Sequence, residues 1–346
     1  MATVITDKSI KPYRHKLTSG QAAKEYIQLR KDVEKAGILD RSYGYYFLTA
    51  TADLCGFFFA LYMLITQMNP IVVILSTVTM SFFTIRIGGL IHDAGHRAIL
   101  KSTQLNDVFG YLFAAVIIFP FSLWKYKHNA HHSNTNIQGE DPDLDIPFVF
   151  TEDNYKNKKG IMKFFRKYQM WLYYPLGSFV SITYRVKGFM HYARHAQNPK
   201  ILAEAIFMFF GMILWYVVPF IFFPFWKALA FFVIFNEMAG FYMLNIFAPN
   251  HKGMPQLAKN TTLSFLEQQI ITSRNLYNHT FINYVYLGLN HQIEHHLFPN
   301  CPRNKLAKIR PYVQAICKKY NLDYIQMGIV ESNAFILKEL NTVARA

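Results

Sequence analysis

Thirteen histidines occur in this chain of 346 residues, and most fall in three short clusters. These are His92-Asp-Ala-Gly-His96, His128-Asn-Ala-His-His132 and Gly288-Leu-Asn-His-Gln-Ile-Glu-His-His-Leu-Phe-Pro299. His92 and His96 are spaced i, i+4, which on a helix puts both rings on one face about 6 Å apart. His128, His131 and His132 meet the same condition at i, i+3, i+4. His295 and His296 repeat it with Gln292 in the first slot. His291 stands one position too early to share that face and would compensate for Gln292 only if the helix register slips. Neutral imidazole suits Fe, Zn, Cu and Ni. A zinc site closes with about four ligands, and the clusters exceed one such site. His251, at the end of the last apolar run, makes a further ligand. Two ions with open positions suit oxygen activation, which zinc, lacking redox chemistry, does not perform. A di-iron centre is the most economical reading. His191 and His195 are also i, i+4, but they stand alone and read as an interfacial or structural pair.

Distant clusters can share a pair of ions only if the intervening elements return to one place. Apolar residues make up 52% of the chain and stand in blocks: Tyr45–Ile65, Ile71–Ile91, about Leu202–Phe222, and Phe225–Phe247. Each matches the run of about 20 residues that a bilayer core demands of one helix. The expected fold is therefore an all-α membrane protein. Four transmembrane helices form two hairpins, with interfacial helices and a cytosolic histidine-rich cap holding a dimetal centre. The linker Thr66-Gln-Met-Asn-Pro70 is uncharged, and the one spanning Pro219 and Pro224 has no charge until Lys227. The positive-inside rule then places the N-terminus, His92 and His251 in the cytosol. The chain reads as one membrane domain over residues 1–346. Residues 1–42 form a cytosolic N-terminal segment, 43–251 carry the membrane helices with the first two clusters, and 252–346 form a cytosolic segment with the third.

Asn106–Trp124 is also apolar. One crossing there would put His128 on the opposite side from His92, so a shallow or re-entrant segment is expected, tolerated where protein buries its backbone. Ala22–Ala36 suits a short surface helix, and Ser133–Gly160 a polar loop. Ile161, Phe164, Phe165, Tyr168, Trp171 and Leu172 mark one face of a helix lying in the membrane interface, with Lys163, Arg166 and Lys167 off that face. Leu306, Ile309, Val313 and Ile316 form an amphipathic stripe interrupted by Pro311. Asp53, Arg86 and Glu237 fall inside apolar runs, where charge is expensive and suggests a role; Arg86, near a helix end, could snorkel.

The formal charge is +15. The basic residues flank the apolar runs and form no groove-reading motif, so nucleic acid is excluded as a partner in favour of anionic membrane lipids. The balance would also suit an anionic substrate such as an acyl-CoA. Cys55, Cys301 and Cys317 make no CxxC and imply no disulfide framework. The N-terminus, with Asp7, Lys8, Lys11 and Arg14, has no apolar core before a cleavage site, so no cleavable signal peptide is expected.

The three clusters, with Glu140-Asp-Pro-Asp143, Thr272-Ser-Arg-Asn275 and Gln292-Ile-Glu-His-His-Leu-Phe-Pro299, resemble the membrane fatty acid desaturase family over nearly the whole chain from Tyr45 to Tyr324. The resemblance implies four spanning helices, a cytosolic di-iron centre and O2-dependent removal of two hydrogens from an acyl chain. It implies metal ligation by His92, His96, His128, His131, His132, His251, His295 and His296, with Gln292 where most branches carry histidine. The Gln292 form looks like the front-end branch, which desaturates between an existing double bond and the carboxyl end. Many such enzymes carry a fused cytochrome b5 domain with a His-Pro-Gly-Gly motif. That motif is missing here, so a separate electron donor is expected, cytochrome b5 or a ferredoxin with its reductase. The acyl substrate would arrive as CoA ester or glycerolipid, in a bacterial inner membrane or the endoplasmic reticulum. Where the stearoyl-CoA branch has an asparagine one turn before the histidine corresponding to His251, this chain has Phe247, and Asn250 is the nearest substitute.

Ligating histidines hand their other N–H to a carboxylate or carbonyl. Asp93, Asp141, Asp143 and Glu294 stand close enough in sequence to serve. Trp124 is a candidate wall of an acyl tunnel. Three other activities compete. A di-iron hydroxylase or ketolase acting on a lipid, sterol or carotenoid would use the same clusters. A zinc hydrolase would need Glu directly after the first histidine, where Asp93 stands. A metal transporter would place its ligands near the bilayer midplane.

Overall fold

A computed structural model describes residues 16–146, 148 and 160–345. Residues 1–15, on which the signal-peptide expectation rests, and part of the polar loop 133–160 lie outside the described residues. The elements in order are α1 (Ser19–Lys35), α2 (Tyr43–Thr66), α3 (Pro70–Gly95), α4 (Thr103–Ile117), α5 (Phe121–Ser133), α6 (Ile161–Lys167), α7 (Gln169–Gly177), α8 (Val180–His195), α9 (Pro199–Tyr216), α10 (Val218–Phe222) and α11 (Phe225–His251). There follow α12 (Phe265–Ile271), β1 (Asn275–Leu276), α13 (Thr280–Val285), α14 (Gln292–Leu297), a 3-10 turn at Arg303–Lys305, α15 (Leu306–Tyr320), β2 (Gln326–Met327) and α16 (Ile329–Arg345).

Among the described residues, four stretches are long and apolar enough to cross a membrane: α2, α3, α9 with α10, and α11. Their outward faces expose large apolar side chains, Phe47, Phe59, Leu75 and Phe222 among them, as lipid-facing helices do. The α3 start is written locally. Asn69 caps it by accepting from the Ile71 and Val72 amides, and Pro70 takes the first turn, where its missing N–H costs nothing. The same Asn-Pro pair opens α9, with Asn198 accepting from Lys200 N. At the far ends, buried Lys227 donates to Ile65 O and Gln67 O and ties α11 to the carbonyl end of α2.

Two polar groups inside the spans meet each other. Arg86 does not snorkel; it is buried, 2.6 Å from Asp53, because α2 and α3 pack against each other. Glu237 receives the Ser178 hydroxyl.

The segment expected to be re-entrant is a helix pair. At about 1.5 Å per residue α4 is too short to cross a core of about 30 Å, and α5 leaves it at 117°. The break leaves carbonyls at one helix end and amides at the other in an apolar interior, where each must find a partner. Arg185 donates to Ile118 O at 3.1 Å and Ile117 O at 3.4 Å, and Glu204 accepts from Ser122 N at 3.0 Å. One cation and one anion, from α8 and α9, thus close the two ends.

The interfacial helix expected over 161–172 is divided at Tyr168 into α6 and α7. Its outer face exposes Ile161, Phe164, Tyr168 and Trp171, whereas Arg166, expected off the apolar face, is buried with Gln169 and Tyr173. The correction has a packing cause: that side is covered by α16, whose Leu340 carbonyl accepts from Gln169. Around α15, Leu306, Ile309, Val313 and Ile316 form a core with Leu29 and Val33 of α1 and Leu266 of α12. Pro311 does not end the helix.

Candidate metal centre

Four helix segments deliver the histidines to one end of the bundle. His92 lies in the last turn of α3 and His96 caps it; His128, His131 and His132 line α5; His251 ends α11; His295 and His296 sit on α14. Two groups result, His92, His96, His128 and His295, and His131, His251 and His296; within each, one nitrogen per ring lies within 4.8 Å of the others. His132 stands between them, with ring centroids 4.2 Å from His296 and 4.5 Å from His96. The Nε2 atoms of His96 and His128 are 2.9 Å apart, and those of His128 and His132 3.1 Å. A chord of about 3 Å is what two imidazoles make at right angles on a cation about 2.1 Å from each.

The outer nitrogens of four rings are engaged. His92 Nδ1 lies 3.0 Å from Asp93, His131 Nδ1 3.0 Å from Asp141, His251 Nδ1 3.2 Å from Thr272 O, and His296 Nδ1 2.7 Å from Gln269 Oε1. Such partners fix the tautomer that turns Nε2 inward. Nε2 of His92, His295 and His296 and Nδ1 of His132 are buried without a hydrogen-bond partner among the described residues. Unpartnered nitrogens in a histidine-only cluster fit a metal ion. Burial and neighbouring imidazoles hold His96, His128, His132, His295 and His296 well below the ordinary histidine value, which keeps them neutral and ready to ligate. His131 is the exception. Burial opposes its charge, but Asp143 and Asp141 lift it above the usual value.

The carboxylates divide by role. Asp93 joins His92, Arg303 at 2.5 Å and Tyr46 Oη at 2.6 Å. Asp141 also receives the Asn136 and Asp143 amides; burial opposes its ionisation, yet His131 and these donors hold it below the usual carboxylate range. Asp143 is half exposed, 3.7 Å from His131. Among the described residues the Glu294 carboxylate hydrogen-bonds to none of the histidines. It accepts from Tyr324 Oη and Asn275 Nδ2, fastening α14 to β1 and the chain before β2, and burial raises it.

Gln292 and His291 take different directions. Asn250 Nδ2 donates to Ile246 O, Leu289 O and Gln292 Oε1. Two carbonyls fix its amino side, so the Gln292 oxygen must face Asn250, and the Gln292 amino group lies 2.8 Å from His251 Nε2. His291 turns out of the cluster to Arg310, Asn283 and Asn290; burial and then Arg310 push it down to about 3. Trp124 stacks on His128 with centroids 4.6 Å apart and flanks His92 at 5.6 Å. Gly95 permits this, since a Cβ there would meet the indole at 2.5 Å. His191 and His195 pair with each other on α8, outside the cluster.

Sequence reasoning missed Arg303, Tyr46, Gln269 and Thr135, whose Oγ lies 3.1 Å from His296 Nδ1. One signal was available: Glu267-Gln-Gln269, three polar residues within the otherwise apolar α12. The Thr272-Ser-Arg-Asn275 motif also gains a physical meaning. Thr272 holds His251, Arg274 donates to Pro249 O and Lys252 O at the end of α11, and Asn275 holds Glu294 and accepts from Ile293 N.

The family model described as fatty acid desaturase matches residues 68–328. Among characterised relatives, a Δ5 fatty acid desaturase of Caenorhabditis elegans is 29% identical, with 89% of this chain and 71% of the relative covered. An acyl-lipid (9-3)-desaturase of Borago officinalis is 28% identical over 94% and 75%, and a Δ8 fatty acid desaturase of Euglena gracilis 25% identical over 94% and 80%. The chain belongs to the fatty acid desaturase family and is a membrane oxidoreductase that uses O2 on a fatty acyl substrate.

Proposed function

We propose that this fatty acid desaturase is a front-end enzyme holding two iron ions in the histidine cluster. It would insert a cis double bond between an existing double bond and the carboxyl end of the acyl chain. The observation that carries the reading is the convergence of eight imidazoles into two groups bridged by His132, in a chain whose relatives are named Δ5, Δ6 and Δ8 desaturases.

His92, His96, His128, His131, His132, His251, His295 and His296 are the ligands. Gln292, first expected among them, is reassigned: with its oxygen bound to Asn250, the side it turns to the cluster is its amino group, which has no lone pair to offer a metal. When bound, the irons supply the reduction of O2 and the removal of two hydrogens. The chain's own residues position and seclude. Asp93, Asp141, Thr272 and Gln269 orient the rings. Trp124 and the apolar residues beside it form a wall that excludes water and holds an acyl methylene against the centre. Electrons come from a cytochrome b5 or a ferredoxin with its reductase. The basic flanks of the spans orient the cluster to the cytosol, of a bacterial inner membrane or the endoplasmic reticulum. The cluster lies at helix ends rather than mid-span, which favours an enzyme over a transporter.

The test is gas chromatography–mass spectrometry of fatty acids from a host expressing the chain, fed saturated or already unsaturated precursors. A new double bond on the carboxyl side of an existing one supports the reading. Hydroxylated products, or desaturation of saturated chains alone, would refute it.

A further inference from the structure

From Asn275 to Ile293 no residue is Lys, Arg, Asp or Glu, although 16% of the chain is charged. The latter part of this run is the buried third cluster. The earlier part, through α13, is exposed and aromatic: Tyr277 is 52% exposed, Phe281 66% and Tyr284 49%.

Tyr277 still touches β2, its N donating to Met327 O at 3.1 Å, but α13 itself rests on the spanning helices. Tyr284 O accepts from Arg86 Nη1 at 2.7 Å, and the Arg86 guanidinium lies 3.6 Å above the Tyr284 ring. Val285 O accepts from Tyr242 Oη at 2.5 Å, and Tyr242 stacks on Phe82. All three partners belong to the spanning helices α3 and α11. With each span taken to start at the opposite edge of the hydrocarbon core, two rulers give the depth of α13. A hydrocarbon core of about 30 Å takes about 20 helical residues. Counted from Pro70, where α3 begins, it reaches about residue 90, so Arg86 lies about 6 Å below its edge. Counted from Phe225 on α11 it reaches about residue 245, so Tyr242 lies about 4 Å below the edge. The two helices agree.

We propose that residues 277–285 form a strap seated in the bilayer, with α13 beneath the headgroups of the leaflet on the histidine side and Phe281 and Tyr284 against lipid acyl chains. The strap has the uncharged aromatic composition of an interfacial anchor. Phe82 and Tyr242 beneath it are themselves only half-buried. The strap departs from the expectation that the whole segment after residue 252 is cytosolic. Asn283 joins the strap to the third cluster, accepting from Asn290 Nδ2 at 2.7 Å and facing His291 Nε2 at 3.2 Å.

The inference rests on the four helices crossing a bilayer, and the test separates the two claims. A nitroxide is placed by Phe281→Cys in the full chain carrying Cys55→Ser, reconstituted in phosphatidylcholine nanodiscs. Power saturation compares collisions with O2, concentrated in lipid, and with a water-soluble nickel chelate. Leu75→Cys on exposed α3 and Lys24→Cys on exposed α1 are the references. The position 281 label is expected to favour O2 as strongly as position 75. Nickel preference at 281 alone, matching position 24, would overturn the strap. Nickel preference at both 75 and 281 would overturn the spans and the strap with them.

Discussion

The two halves of the histidine cluster are built differently. Around His92, His96, His128 and His295, one carboxylate, Asp93, stands behind one ring and is itself clamped by Arg303 and Tyr46. Around His131, His251 and His296 every ring has its own outer acceptor: a carboxylate, a backbone carbonyl and an amide oxygen. The first half has four imidazoles and a charged outer network. The second has three imidazoles, mostly neutral outer partners, and the Gln292 amino group at its edge. One histidine cluster thus carries two electrostatic environments.

The bluntest way to break the comparison is to remove a ligand. His295→Ala should abolish turnover and lower bound iron, measured by product analysis and elemental analysis, whereas His191→Ala should change neither. Acid comes next. The folded values of His96, His128, His132, His295 and His296 lie below the ordinary value of about 6.5, so the folded state binds fewer protons than the unfolded one. The stability this contributes is complete above about pH 6.5 and is lost as pH falls. The metal-free protein should therefore melt at progressively lower temperature between pH 7 and pH 5; a flat profile would contradict the burial of neutral rings.

Asp141→Asn sharpens the contrast between the halves. It keeps the shape but removes the charge behind His131, and should cost about 10–100-fold in metal affinity, read by the rate of chelator extraction. Asp93→Asn should do the same and also lower the melting temperature, because it leaves Arg303 buried without its partner. The mildest change is Gln292→Ala. It should retain iron at the level of the unaltered enzyme while slowing turnover severalfold; iron loss like that of His295→Ala would make Gln292 a ligand after all.

Much of this centre was legible because ligand spacing is a local property. The i, i+3, i+4 pattern of His128, His131 and His132 needs only helical geometry, and the apolar runs announce their own length. The bend between α4 and α5 was legible only through chemistry, as the one path that keeps His128 beside His96. The outer network was not legible, since Arg303 reaches Asp93 across 210 residues and Thr135 reaches His296 across 161, and nothing local distinguishes such polar residues from surface ones. The orientation of Gln292 depends on two carbonyls around Asn250, which no spacing reveals. Arg86 and Asp53 were flagged singly as costly, but their pairing required the register of α2 against α3.

The closure of that bend also dictates an order of assembly. Its ends are capped by Arg185 and Glu204, which follow their partners by 67 and 82 residues. At about 5–20 residues per second of synthesis, a nascent chain waits on the order of 3–16 s before either arrives. Until then the bend has no way to satisfy its backbone in hydrocarbon and must idle at the aqueous boundary. Ribosome-stalled chains ending before residue 185 should accordingly leave position 118 open to a water-borne thiol reagent, and chains extending well past residue 204 should shield it. The second histidine cluster would on that outcome be drawn into place by helices made later.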